Sequence, residues 1–568
     1  MAIDNRPHVV SPYTYSLCSH FYLIESNPSD LRIRQRSTPS LMMSMSSNPC
    51  PAQFEGKVTV YVAICAIIAA SGGLMFGYDV GISGGVTSMD DFLLKFFPLV
   101  YERKREVKED NYCKYDNQGL QLFTSSLYLA AIVSSLCASK ICMSYGRKLT
   151  MQSASAFFFA GVVFNATAQN LGMLIAGRIL LGVGVGFANQ AVPLFLSEIA
   201  PVHVRGGLNI LFQLDVTIGI LIAGVINFYA AHIHPWGWRL SLGLAGIPAA
   251  LLCLGSLLIT ETPTSLIERD KLSEGLAVLK KIRGTNNVDE EYQEILRASE
   301  TARRANQPFR KLMLRSSRPP LVIAVALQFF QQLTGINAIM FYAPVLFQTV
   351  GFKSDASLLS SIIMGSVNVL STVISLVLVD RVGRKLLLLE ACLQMFISLF
   401  AIGAILVAIS HAGKNLDQEA ATGVVILVCM FVSSFAWSWG PLGWLIPSET
   451  FPLETRTSGY AFAVSSNMLF TFIIAQAFLS MMCRMRAGIF FFFAAWIIVM
   501  GVFIALLLPE TKNVPIDEMR ERVWEQHWYW KRYVDEDEDE DEDEEQSERV
   551  ESGPDIMPTQ SRISYAHL

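Results

Sequence analysis

Apolar runs of about twenty residues recur along the chain, each closed by a polar turn. A helix that crosses a bilayer needs about 20 mostly apolar residues. Twelve segments qualify: 59–82, 119–139, 149–168, 171–191, 209–230, 240–259, 320–347, 358–379, 386–409, 422–446, 458–481 and 487–508. The run from Ala487 to Leu508 passes without a single charge. A helix packed on a soluble core keeps one polar face. The pattern therefore predicts an all-α polytopic membrane protein with 12 transmembrane helices.

Orientation follows from Lys and Arg, which collect in short cytoplasmic loops. Arg147 and Lys148 follow span 2, and His203 and Arg205 follow span 4. Arg381, Arg384 and Lys385 follow span 8, and Arg456 follows span 10. All lie on one side, taken as the cytoplasm, and an even span count puts both termini there. The outer loop 88–118 holds six basic residues, but seven acids offset them. Charge also guides topology less in a long loop than in a four-residue turn.

Composition agrees. The 568 residues are 52% hydrophobic and 16% charged, against about 25% charged in soluble proteins. Mean hydropathy is +0.40. These values exclude disordered, collagenous and nucleic-acid-binding classes. The formal net charge of −5 is set by eleven consecutive acids, Asp535 to Glu545. Without them the chain is mildly basic. Ten cysteines are too sparse for a disulfide scaffold.

The expected organisation has five parts. Residues 1–56 form a disordered cytoplasmic segment. Arg32, Arg34 and Arg36 among serines suggest a transit peptide, but Asp4, Glu25 and Asp30 argue against one. Residues 57–260 form a six-helix bundle that carries the outer loop 88–118 as a lid. Residues 261–318 form cytoplasmic linker helices, with helical spacing at Ser273–Ile282 and Asp289–Arg304. Residues 319–512 form a second six-helix bundle, and 513–568 an acidic cytoplasmic tail.

The two bundles repeat each other. Ser197-Glu198-x-x-Pro201-x-x-x-Arg205 recurs as Ser448-Glu449-x-x-Pro452-x-x-x-Arg456, 251 residues later. Gly146-Arg147-Lys148 recurs as Gly383-Arg384-Lys385, and Glu261-Thr262 as Glu510-Thr511. Paired-repeat carriers hold substrate between the halves near the midplane and rock one half against the other. The repeated charges Arg147, Glu198, Arg205, Glu261, Arg384, Glu449, Arg456 and Glu510 are expected to form a cytoplasmic gate. The plainer alternative is that they only fix topology and cap helices.

At these residues the chain resembles a known family. Gly177-Arg178 through Asn189-Gln190, then Pro193, Ser197-Glu198 and Arg205, resembles the sugar porter signature of the major facilitator superfamily. Asp380-Arg-Val-Gly-Arg384-Lys385 and Pro509-Glu510-Thr511-Lys512 do so too. Gly77-Tyr78-Asp79-Val-Gly-Ile-Ser-Gly-Gly, Gln331-Gln332-Leu-Thr-Gly-Ile-Asn337 and Trp437-Ser-Trp-Gly-Pro441-Leu-Gly-Trp444 are similar to the plant sugar transport proteins. The resemblance covers residues 55–530. It implies a plasma-membrane monosaccharide–proton symporter with a major facilitator fold. The exit of span 6, Glu261-Thr-Pro-Thr-Ser265, departs from the wider superfamily's Pro-Glu-Ser-Pro.

An ionisable group inside a span is costly and marks function by default. Asp79 falls late in span 1 and Arg178 inside span 4. As a pair they stabilise each other, and protonating Asp79 cancels its charge and weakens the pair. The resemblance gives Asp79 the proton and Arg178 the role of partner. Asp215 in span 5 finds no role.

A sugar site needs amides, which donate and accept, and an aromatic ring. Span 7 offers Gln331, Gln332 and Asn337 around Gly335, which permits a local break. Gln213, Asn368, Asn467, Thr471 and Trp444 add to the set, and Asn467 and Thr471 share a face at i, i+4. Trp444 follows Gly440-Pro441, read as the break in span 10. Phe76 supplies an apolar contact from the first half. The resemblance implies sugar ligands at these positions, and a Cys113–Cys483 disulfide that clips the lid. Any single amide is also explained as helix-packing glue. The sequon Asn165-Ala-Thr167 abuts the membrane.

The leading expectation is a proton–hexose symporter of sugars such as glucose, acting as a monomer with no cofactor, no metal and no nucleic-acid partner. A proton-coupled polyol carrier and a passive hexose uniporter are close rivals. A non-transporting sugar sensor is remote, because the tail is short. A membrane hydrolase is excluded, because Gly81-Ile-Ser83-Gly-Gly85 ends a membrane helix. The G-x-S-x-G motif needs a strand–turn–helix.

Overall fold

The computed structural model describes residues 59–105, 112–201, 204–304, 308–315, 317–340, 342, 354–412, 418–512, 514 and 519–533. The segment 1–56, His203 and the run Asp535–Glu545 lie outside the described residues. All regular structure among the described residues is helical. The described residues form one compact unit.

Eleven helices among the described residues are long and apolar enough to cross a membrane. Spans 1 to 5 are Val60–Ser88, Gln118–Tyr145, Arg147–Ala166, Leu171–Ile199 and Arg205–Ala230. Span 6 is Gly237–Leu244 continued by Gly246–Leu258. Spans 8 and 9 are Ser354–Val382 and Arg384–Ala412. Span 10 joins Gln418–Trp437 to Trp439–Thr450, and spans 11 and 12 are Leu453–Met485 and Gly488–Leu507. Span 7 is the twelfth. Its first piece, Arg318–Leu333, is too short to qualify alone. The helix breaks at Gly335, whose φ of 84° is left-handed, and resumes over residues 336–340. Only glycine takes that conformation without a Cβ penalty.

Several helices outrun their apolar signal. Span 1 continues through Ser83, Thr87 and Ser88 because each hydroxyl bonds back to its own helix, on Asp79 O, Ser83 O and Gly85 O. The polar groups are satisfied locally. Span 1 also lies unusually close to span 5. A Cβ on Gly77 would sit 1.9 Å from Val216 O, so the glycines at 73, 77 and 81 form the small-residue seam that membrane helices use for close approach.

The break in span 10 comes at Ser438, before Gly440-Pro441 and not at them. Pro441 lacks an N–H, and its ring clashes with the carbonyl four residues earlier, that of Trp437. The helix therefore stops at Trp437 and restarts with Pro441 in its first turn, where an N–H has no partner anyway.

The lid loop contains two short helices, Asp90–Phe96 and Pro98–Arg105. The linker contains Pro263–Glu268, Leu272–Arg283, Asp289–Arg304 and Pro308–Lys311. Arg283 donates to Ile199 O at the end of span 4, and Lys311 pairs with Glu454 in the first turn of span 11. The linker thus fastens to both halves. A ladder of polar contacts joins span 2 to span 11 along the seam between halves. Ser139 donates to Thr457 O at 3.2 Å, Ser135 bonds Ser465 at 2.7 Å, and Ser125 donates to Gln476 at 2.6 Å.

Candidate functional site

The residues singled out in the sequence gather in three places: a buried ion pair, a cavity between the halves, and charged clusters at the inner ends of the spans.

Arg178 Nη1 lies 2.5 Å from Asp79 Oδ1, and both side chains are buried. Nη2 donates to Ser83 Oγ at 2.7 Å, Nε donates to Phe123 O at 3.0 Å, and the guanidinium sits 4.7 Å from the Phe123 ring centre. Arg178 is held by three further contacts, whereas Asp79 Oδ2 has no partner among the described residues.

Phe76, one turn before Asp79 on span 1, and Val80 open onto a cavity between the halves. Gln213, Val216 and Ile220 of span 5 complete the first-half wall. Gln331, Gln332, Ile336, Asn337 and Met340 of span 7 face them, with Asn368, Phe435, Trp444 and Asn467. The Gly335 break turns both pieces of span 7 toward the same space. The amides orient one another: Asn467 Nδ2 donates to Gln331 Oε1 at 2.7 Å, Gln331 Nε2 to Trp439 O at 2.8 Å, and Asn337 Nδ2 to Gln332 Oε1 at 2.6 Å. Asn368 Oδ1 is left without a partner. Phe212 packs edge-on against Trp444. A second cavity shares Ile220 and Met340 and continues past Gly81, Gly85 and Asn227 toward the outer end of span 1.

Thr471 is the one expected ligand that does not line the cavity. Its hydroxyl donates to Asn467 O at 2.7 Å, a bond back to the preceding turn of its own helix. The sequence reading missed the apolar walls, Val80, Val216, Ile220, Ile336, Met340 and Phe435. Helical spacing held a signal for several of them: Val80 is one turn from Phe76, and Met340 one turn from Asn337. It also missed Glu390 in span 9, an intramembrane acid whose oxygens accept from Trp437 Nε1 at 3.1 Å and from Gln394. Its ionisable side chain inside an apolar run was the available signal.

At the inner ends, Arg147 pairs with Glu198 at 2.7 Å and with Glu268 of the linker at 2.8 Å. Arg384 pairs with Glu449 at 3.0 Å and with Asp380 at 3.3 Å. Glu261 accepts from the backbone N–H groups of Arg147 and Lys148, and Glu510 from those of Arg384 and Lys385. The two arginines that end the repeated motifs cross over: Arg456 acts electrostatically on Glu198, and Arg205 on Glu449. Each cluster thus mixes charges from both halves.

On the outer side, Cys113 and Cys483 are joined by a disulfide, with Cα atoms 4.6 Å apart. It connects the lid loop to the end of span 11. Asp215 is half-buried in span 5, outside both cavities.

Comparison with known proteins gives the same family from three directions. The family described as "Sugar (and other) transporter" matches residues 65–523. The chain is 65% identical to Sugar transport protein MST4 of Oryza sativa subsp. japonica over 85% of this chain and 94% of that one. Among solved structures, the proton:xylose symporter XylE bound to 6-bromo-6-deoxy-D-glucose overlaps with a TM-score of 0.71 at 25% identity, covering 82% of this chain and 99% of that one. The inward-open form of XylE from E. coli, also 25% identical and covering 81% and 99%, overlaps less well, at 0.63. The chain therefore belongs to the sugar transporter family of the major facilitator superfamily, in the branch that holds the plant sugar transport proteins.

Proposed function

We propose that this protein takes up monosaccharides together with protons by alternating access. The observation that carries the reading is the pairing of a buried, partly unsatisfied Asp79–Arg178 ion pair with an amide-lined cavity one helical turn away. The similar XylE is a proton:xylose symporter, which supports coupling over passive flow.

The ionised Asp79 holds Arg178. A proton on Oδ2 removes the charge and loosens span 1 from span 4. Span 1 carries Phe76 and Val80, so its shift is felt at the cavity wall. Sugar hydroxyls exchange bonds with Gln331, Gln332, Asn337, Asn368, Asn467 and Gln213, while Trp444 and Phe76 take the apolar face. Bound sugar draws the second half, which carries most of the amides, toward the first. The inner charge clusters keep the cytoplasmic side shut until that closure, and their parting releases sugar and proton inside. The disulfide clips the lid over the outer entrance.

We place the protein in the plasma membrane as a monomer with both termini in the cytoplasm, transporting hexoses such as glucose with no cofactor and no enzymatic step. Uptake of a labelled sugar panel by transport-deficient cells, with and without a proton uncoupler, tests this. Accumulation of hexose that collapses with the uncoupler is expected. Uptake unaffected by it would replace the symporter with a uniporter, and uptake of polyols alone would replace the substrate class.

A further inference from the structure

Between the sugar cavity and the inner charge clusters, several buried polar atoms meet no partner among the described residues. Asn189 of span 4 is fully buried, and neither its amide oxygen nor its nitrogen is hydrogen-bonded. Tyr460 of span 11 is equally buried, and its hydroxyl is unpaired. Gln190 spends Nε2 on Thr457 O of the opposite half, at 2.9 Å, and keeps Oε1 unpaired. Native structures pair nearly all such groups, so orphans call for an explanation.

Helical phase shows where they point. Asn189 comes eleven residues after Arg178, three turns toward the cytoplasm, and projects from the same side of span 4. Arg178 on that side meets Asp79 of span 1 and Phe123 O of span 2. The neighbours of Asn189, Ala188 and Val192, lie against Gly72, one turn below Phe76 of the cavity wall. In the second half, Tyr460 comes seven residues before Asn467, two turns or about 10 Å along the helix, again on one side. Asn467 lines the cavity. Arg456, a further turn down the same stripe, acts on Glu198 across the seam. Tyr460 therefore lies between the sugar cavity and the inner gate, and Asn189 lies at that depth in the other half.

We propose that Asn189 and Tyr460 form a second subsite for sugar hydroxyls, on the cytoplasmic side of the main cavity, which a sugar occupies as it leaves. This rests on the transport reading above. An amide and a phenol both donate and accept, which is what a hydroxyl requires, and Gln190 Oε1 adds an acceptor. Neither residue carries a charge, so they hold a neutral sugar without trapping it. While the inner side is shut, helix packing seals these groups and leaves them unsatisfied. Parting of the halves exposes them to the departing sugar, whose hydroxyls complete their bonds.

The test compares the two faces of the membrane. Labelled glucose exchange is measured for the full chain in right-side-out and inside-out vesicles, for the wild type, Asn189→Ala and Tyr460→Phe. The second variant removes one oxygen and keeps the ring, so folding is preserved. KM from the cytoplasmic face should rise about five-fold in each variant, with KM from the outer face within about two-fold of wild type. An unchanged inner KM in both variants overturns the subsite. An equal rise on both faces also overturns it, since the residues would then belong to the main cavity. Loss of wild-type exchange at both faces would overturn the transport reading, and the subsite with it.

Discussion

The two halves of the molecule are nearly the same at their cytoplasmic ends and quite different at mid-membrane. At the inner ends, Gly146 and Gly383 take matching left-handed conformations, with φ of 94° and 105°. Each starts a helix whose first N–H groups are bonded by a glutamate from the end of its own half, Glu261 or Glu510. Each helix then offers an arginine to the glutamate of the Ser-Glu motif. A carboxylate at a helix N-terminus satisfies orphan donors and complements the dipole. At mid-membrane the likeness ends. The first half buries Asp79 against Arg178. In the second half, the 251-residue shift puts Cys429 where Arg178 stands, and the polar groups of the cavity are amides. The inner charge clusters are alike in the two halves while the interiors differ, which fits the proposed division in which the first half takes the proton and the second supplies most of the sugar contacts.

The largest effect should come from erasing that division. Asp79→Asn leaves Arg178 with a neutral partner and removes the protonatable oxygen. Uphill accumulation of sugar should be lost while surface expression persists. Concentrative uptake by this variant would mean the first half does not read the proton. A smaller effect is expected in the second half. Gln331→Ala or Asn337→Ala leaves sugar hydroxyls and cavity partners unpaired, at about 1–3 kcal/mol per lost bond. Half-saturating sugar should rise roughly ten-fold with coupling intact. No change in either variant would remove span 7 from the site.

The shared inner ends give a finer contrast. The Glu198 side chain is 1% exposed and that of Glu449 is 11% exposed. Glu198 also accepts from Thr262 at 2.5 Å. Breaking a buried ion pair strands a charge, and the cost grows with burial. Glu198→Gln should therefore open the inner side more than Glu449→Gln. Labelling of a cysteine placed at Ser458 by an impermeant thiol reagent in inside-out vesicles checks this, and equal rates would make the two gates equivalent. The smallest effect should come from the disulfide between the lid and span 11. Cys113→Ser unclips the lid, so sugar affinity should weaken about two- to three-fold and uptake should follow external pH more steeply, without stopping. Identical pH profiles for variant and wild type would leave the lid without a shielding role.

Much of this was legible in the order of residues. Twelve apolar runs predict twelve spans because crossing a bilayer is a local requirement on each segment. The repeat was visible because its motifs keep residue types that a helix end demands. Asp79, Arg178 and the amides stood out because polar groups inside apolar runs are rare. The helix break at Gly335 was readable for a similar reason: it depends on one residue's own backbone.

What the tertiary structure alone decided concerns partners far apart in the chain. The glutamate of each Ser-Glu motif pairs with the arginine of a distant Gly-Arg-Lys turn, Glu198 with Arg147 and Glu449 with Arg384. The approach of Cys113 to Cys483 spans 370 residues. Hydrophobic spacing fixes which residues share a helix and a face, because the 3.6-residue repeat is a property of the backbone. It does not fix how each helix is rotated and paired against the others. That is set by close packing, small residues at seams and the pairing of buried polar groups, and these forces act only once the helices meet.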